Sequence, residues 1–361
     1  MSLLYKPDSA EAQDRMTAFW RGQVLDRPAI WITAPRREPL PGPPAPPAPA
    51  DVVAQWTDQD YLLAAAEAGM RATFYGGEAF PCFVPQLGPG SLAIHLGSPP
   101  VFWPGTIWYD PCLDDLTTGP DLAYNPDEKW WLWTKQLTRR ARELGRGKFI
   151  VNFPDLIENM DILASLRGSL ELLFELKDAP QSVHRYLRQL VPLYLRYYDE
   201  LAGLMEVWDQ GSIFVGFPGW GPGRVCKLQC DMSCMISADQ FREFVQPYLA
   251  EQCECLDHCF YHLDGPDAIQ HAPALCEIER LHGIQWTPGS GNPPVEDESW
   301  WPLLHQIQDA GKSLFLLGVP AEKVTTLLEE FDPRLTFIAT WAGTQDEAEG
   351  LLRKLDALER V

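Results

Sequence analysis

The feature that most constrains this chain is a repeated alternation of short β-type runs with longer helical spacings. Runs of β character stand at 28–34 (PAIWITA), 81–86 (PCFVPQ), 148–153 (KFIVNF), 212–217 (SIFVGF), 225–231 (VCKLQCD), 259–264 (CFYHLD), 283–288 (GIQWTP), 313–318 (SLFLLG) and 336–340 (TFIAT). Between them, segments 58–70, 127–145, 180–207, 237–258, 266–280, 296–311 and 346–358 carry helical spacing. Strands alternating with helices specify a parallel sheet, and about eight repeats specify a closed (β/α)8 TIM barrel rather than an open doubly wound sheet. The expectation is one α/β barrel domain over 1–361 with an N-terminal helical extension, and one of the nine runs is then an extra. No G-x-G-x-x-G or G-x-x-x-x-G-K-[ST] follows a strand, which argues against dinucleotide and P-loop chemistry.

The best-marked helix is SADQFREFVQPYLAEQCECLDH, where Ser237 and Gln240 have capping-box spacing and Pro247 is placed to kink it. Segment 35–51, PRREPLPGPPAPPAPAD, holds eight prolines and reads as a stiff extended loop. It is a spacer or, because it leaves the C-terminal end of the first strand, a partial lid over a barrel mouth.

With 50 acidic against 29 basic residues the formal charge is −21, a field that repels phosphate backbones and anionic lipid. Nucleic-acid and membrane partners are therefore not expected, and a small-molecule substrate is. No stretch reaches the roughly 18 apolar residues of a membrane span, and the start MSLLYKPDSAEAQDR lacks a signal-peptide core, so a cytoplasmic location is expected. Nine cysteines, six of them between 226 and 259 and none in a C-x-x-C pair, read as reduced, mostly buried thiols.

Strand alternation sorts the polar residues. In CFYHLDGPDAIQH, Phe260, His262 and Asp264 share one face, and Gly265-Pro266 ends the strand. In VCKLQCD the set Val225, Lys227, Gln229 and Asp231 lines the interior, and Cys226, Leu228 and Cys230 meet the helices. Asn152 and Gln285 are lining candidates by the same argument. Each residue also has a structural reading: Asp264 as a helix N-cap, His262 as a hydrogen-bonded core imidazole, Asp231 as the cap of the turn SCMIS.

The run QCDMSCMISADQFREFVQPYL (229–249), followed by YHLDG and IQWTPG, resembles the uroporphyrinogen decarboxylase superfamily, with weaker similarity in RPAIWITAPRREP and MDILASLRG. The resemblance implies a (β/α)8 barrel and one of two activities: metal-free tetrapyrrole decarboxylation, or zinc-dependent methyl transfer serving corrinoid proteins or thiols. Towards the first, Arg36 and Arg37 stand where the decarboxylases carry carboxylate clamps, while Gln86 and Leu166 occupy positions where they carry Asp and Tyr. Towards the second, His262-Leu263-Asp264 stands where the methyltransferases carry His-x-Cys, and TFIATWAG lacks their later Cys. The third metal ligand stays open, with Glu158 and Asp161 as options.

The expectation carried forward is metal-assisted methyl transfer involving a methylated or corrinoid-related substrate. Asp231, His262 and Asp264 are its catalytic residues, His262 and Asp264 bind zinc or another divalent metal, and Arg36, Arg37, Asn152, Gln229 and Gln285 contact substrate. A tetrapyrrole or carboxylate decarboxylase and a non-catalytic ligand-binding barrel are the alternatives, and a homodimer is the assembly considered.

Overall fold

A computed structural model describes residues 2–157 and 159–358. Its strands, in chain order, are β1 (Ile30–Pro35), β2 (Thr73–Gly77), β3 (Cys82–Phe83), β4 (Pro100–Phe102), β5 (Ile107–Tyr109), β6 (Ile150–Val151), β7 (Ser212–Ile213), β8 (Trp220–Gly221), β9 (Val225–Gln229), β10 (His258–Asp264), β11 (Gly283–Thr287), β12 (Ser313–Pro320) and β13 (Thr336–Trp341). Seven form one sheet in the order β2-β1-β13-β12-β11-β10-β9. Every neighbour pair in it is parallel except β2 on β1. β3 and β6 pair in parallel in a separate two-stranded ladder.

The fold is thus α/β with a mostly parallel central sheet, but the hydrogen-bonded ladder among the described residues does not close into the expected ring. Sequence supplies the reason. Pro81 and Pro85 bracket β3 and Pro154 follows β6, and proline has no N–H to extend a ladder, so both strands stop at two residues. On the other side β2, which periodicity does not reveal, occupies the free edge of β1. Gly77 makes that approach at φ 58°, where a Cβ would lie 2.1 Å from the Ile30 carbonyl oxygen. The run at 212–217 is the extra one: β7 turns back through Gly216 and Gly219 to pair antiparallel with β8.

The long helix expected over 237–258 is two helices, Ala238–Phe244 and Gln246–Glu254, broken at Val245 ahead of Pro247, and the Ser237–Gln240 capping box is present. Segment 266–280 begins as a 3-10 turn over Pro266–His271 before the short helix Ala272–Cys276. No helix among the described residues is long and apolar enough to cross a membrane.

Burial divides along the strands and positions the site. On the interior face, Ile150, Val225, Phe260, Phe315 and Phe337 form an apolar layer at the N-terminal strand ends. Helix Ser9–Phe19 closes that layer from below, with the Phe19 ring 5.7 Å from Phe315 and 5.9 Å from Phe337. Cys226, Leu228, Cys259, Tyr261 and Leu263 face outward into the larger core shared with the helices. With its lower end filled by rings, the interior has room for polar side chains only towards the C-terminal strand ends, the end where enzymes of parallel α/β architecture place their chemistry. A buried pair braces the frame nearby: Glu78 accepts from both terminal nitrogens of Arg27, at 2.7 and 2.9 Å, and from the Ile30 N–H at 2.7 Å.

Candidate metal centre

Three adjacent strands carry the centre. Parallel pairing sets His262 on β10 opposite Gln229 on β9 and Gln285 on β11. Gln285 is buried, and its Nε2 donates to the Trp286 carbonyl at 2.7 Å and to Thr287 Oγ1 at 2.8 Å. A carbonyl only accepts, so the amide orientation is fixed and Oε1 faces His262 Nδ1, with which it is hydrogen-bonded. Nδ1 therefore carries the proton and donates, which leaves Nε2 as a free lone pair.

That lone pair meets carboxylates. Nε2 lies 4.0 Å from Asp264 Oδ2. One ligand atom each from Asp231, His262 and Asp264 falls within 4.8 Å of the others, the only such grouping of three among the described residues. The cap readings of both acids fail: Gly265 occupies the N-cap position at Pro266–His271, Cys230 does so at the 3-10 turn Asp231–Met235, and neither turn has a side-chain cap bond. The N–H groups opening the second turn go to Asp161 instead, whose carboxylate accepts from Asp231 N at 2.8 Å and Met232 N at 3.1 Å.

Electrostatics suit cation binding. Burial, the Gln285 contact notwithstanding, pulls the His262 pKa below its ordinary value, with nearby Lys227 acting the same way, so the ring is neutral at neutral pH. Burial raises Asp231, against the pull of His262 and Lys227. Asp161 is pushed up to about 6 by burial and then by the charge of Asp231. Below them Lys227 reaches Asp155 Oδ1 at 3.4 Å, donates to Gln229 Oε1, and lies 5.5 Å from the Phe217 ring centre. Phe217 also packs on His262, ring centres 4.8 Å apart.

The structure separates the remaining predicted site residues. Arg36 donates to the backbone carbonyls of Thr73 and Tyr5, and Arg37 pairs with Asp346 and Glu349, so both guanidiniums are spent away from the centre. Gln229 is taken by Lys227 and Asp161. Gln285 has every amide position engaged and acts on His262 rather than on a ligand. Asn152 is fully buried one residue beyond β6, with neither amide atom in a hydrogen bond. Glu158 lies outside the described residues. The proline-rich segment hydrogen-bonds along the end of helix Gln59–Ala72, from Leu40 N to Arg71 O, and not to the strands bearing the centre.

A cleft of about 410 Å³ adjoins the centre, sharing Asp231 with it and bounded by Asp161, Met232, Met235, Trp108 and Tyr109. The last two come from the β4–β5 hairpin, which lies outside the nine β-type runs of the sequence. Its signal is FWPGTIW, aromatic and β-branched residues around a Pro-Gly turn. The wall between β6 and Asp161 passes through left-handed backbone at Ile157 (φ 52°) and Asn159 (φ 45°), which carries Asp161 beneath the 231–235 turn.

An α/β fold with a carboxylate–imidazole cluster at the C-terminal ends of its parallel strands is the class this molecule defines. No family model matches the sequence, and neither does any curated protein. Among solved structures the fold is similar to that of a methyltransferase from Methanosarcina mazei, with a TM-score of 0.61 at 11% identity over 96% of this chain and 99% of that one.

Proposed function

We propose that this chain is a metal-assisted methyl-transfer enzyme acting on a small methylated or corrinoid-related substrate, built on a (β/α)8 barrel whose ladder is interrupted at β3 and β6. Asp231, His262 and Asp264 would hold one zinc or another divalent cation. The observation that carries this reading is the fixed tautomer of His262, which leaves an unprotonated Nε2 4.0 Å from Asp264 Oδ2 in a cluster that Asp231 completes. A set of one nitrogen and two carboxylate oxygens suits borderline to hard divalent ions, and three protein ligands leave a position free for substrate. When bound, such an ion supplies Lewis acidity to the donor atom of the group accepting or releasing the methyl. Fold likeness to a methyltransferase favours this chemistry over decarboxylation, which would need guanidinium clamps, whereas Arg36 and Arg37 are engaged elsewhere.

The protein's own residues prepare the centre. Gln285 orients His262, Asp161 ties down the backbone of Asp231, and Phe217 shields one face of the imidazole. The test is elemental analysis of protein purified without chelator. Near-stoichiometric divalent metal, lost in His262→Ala with the fold intact by circular dichroism, is the expected result. Metal-free protein that also fails to take up zinc, manganese or cobalt on titration would remove the reading.

A further inference from the structure

The cleft beside the centre has a composition that selects among ligands. Its lining, among the described residues, contains no lysine, arginine or histidine, and its charged members are Asp161 and Asp231. Trp108 and Met235 present large apolar surface to it while standing 64% and 51% exposed, and Tyr109 and Met232 continue that surface inwards. Several of the hydrogen-bond donors around the cleft are already used. The N–H groups opening the 231–235 turn are bonded to Asp161, Ser165 Oγ donates to the Asp161 carbonyl at 3.0 Å, and the Tyr109 hydroxyl donates to the Leu87 carbonyl. What remains is acidic, aromatic and thioether surface, with the Ser169 hydroxyl and the Trp108 indole N–H as its side-chain donors and no cationic group.

A ligand matched to this surface is positively charged, apolar in outline and in no need of donors. Methylated onium groups, quaternary ammonium or sulfonium, have that description: their charge is spread over methyl groups that rest against aromatic faces and sulfur. We infer that the cleft binds a methylated onium compound with its charged head towards Asp231 and Asp161 and its methyl groups against Trp108 and Tyr109. Local charge agrees, because Asp161, Asp231 and Asp264 together outweigh one divalent cation, and Lys227 is matched by Asp155. The chain's net charge of −21 favours arrival of a cation as well. The inference rests on the function proposed above and names its substrate class.

The test compares three probes by isothermal titration: choline, its neutral carbon isostere 3,3-dimethylbutan-1-ol, and the anion 3,3-dimethylbutanoate, each on protein as purified and after chelator dialysis. Choline should bind about tenfold or more tighter than the isostere, within the range for a desolvated cation on an indole, and the anion should not bind. Trp108→Leu should remove the preference and Trp108→Phe should keep most of it; since Trp108 is largely exposed, both variants are expected to fold. An isostere or anion that binds as tightly as choline, or no saturable choline binding, overturns the inference. A choline preference in protein that never holds metal supports the onium site and removes the metal reading. Metal-loaded protein without the preference overturns the onium site alone.

Discussion

The proton on His262 Nδ1 is assigned by Gln285, because Gln285 Nε2 is committed to the Trp286 carbonyl and only Oε1 remains to face the imidazole. Two residues paired across β10 and β11 thereby decide which ring nitrogen is open to a cation. Partners of this kind typically change metal affinity 10–100-fold when removed. Gln285→Leu should therefore retain the fold and lower metal affinity by about that factor, while His262→Ala abolishes binding. Competition against a chromogenic chelator measures both.

Asp161 acts one step further out. It holds two backbone N–H groups of the turn that carries Asp231. Asp161→Ala leaves those donors unpaired in a buried place, a loss of about 1–3 kcal/mol for a group so stranded. Its high pKa of about 6 shows that burying the charge already costs stability, so the net change in unfolding free energy should sit at the lower end of that range. Metal affinity should fall less than in Asp231→Ala and more than in a surface control such as Asp209→Ala. Paired denaturation and metal titration of the three variants test the ordering.

Glu78 gives a prediction that separates frame from chemistry. Both its oxygens are committed to Arg27, and it also receives the Ile30 N–H, all in buried surroundings. Removing Glu78 leaves the buried Arg27 with only the exposed Asp356, 3.4 Å away, and breaking such a buried pair costs about 3–5 kcal/mol. Glu78→Ala should lower stability by about that much in urea, with metal bound per folded molecule unchanged. A loss of metal at full stability would contradict the assignment.

The sequence shows the orientation of β9 to β11 because their alternation is clean: Val225 and Phe260 in the apolar layer, Lys227, Gln229, His262 and Gln285 above it, cysteines and leucines behind. The break in the ladder is less visible, since Pro81, Pro85 and Pro154 shorten strands whose hydrophobic pattern looks complete. β2 is hidden because TFYGG follows a helix directly and its strand character depends on Gly77 approaching Ile30. The uses of Arg36 and Arg37 depend on Tyr5, Thr73, Asp346 and Glu349, and the capping role of Asp161 on a turn 70 residues away. Such contacts leave no local periodicity. The roles proposed for Gln285 and Asp231 at a metal follow only from distances, because spacing alone makes Gln285 as good a ligand contact as a positioning group.

At the opposite end of β10, His258 sets an acid limit on stability. Its ring stacks on Trp20 at 4.7 Å, and its Nδ1 is buried without a hydrogen-bond partner. Burial, and then the neighbouring His282, lowers its pKa from 6.5 to about 4. A depressed histidine pKa means that below about 6.5 the unfolded chain takes up a proton that the folded one refuses. The resulting loss of stability grows as pH falls from 6.5 towards 4 and levels off below that. Above 6.5 both states are neutral and this residue contributes no slope. His258→Phe keeps a ring against Trp20 and removes the titration, so its melting temperature should fall less between pH 7 and pH 5 than that of the native protein. Equal slopes for the two proteins in thermal denaturation across that interval would show that the proton is taken up elsewhere.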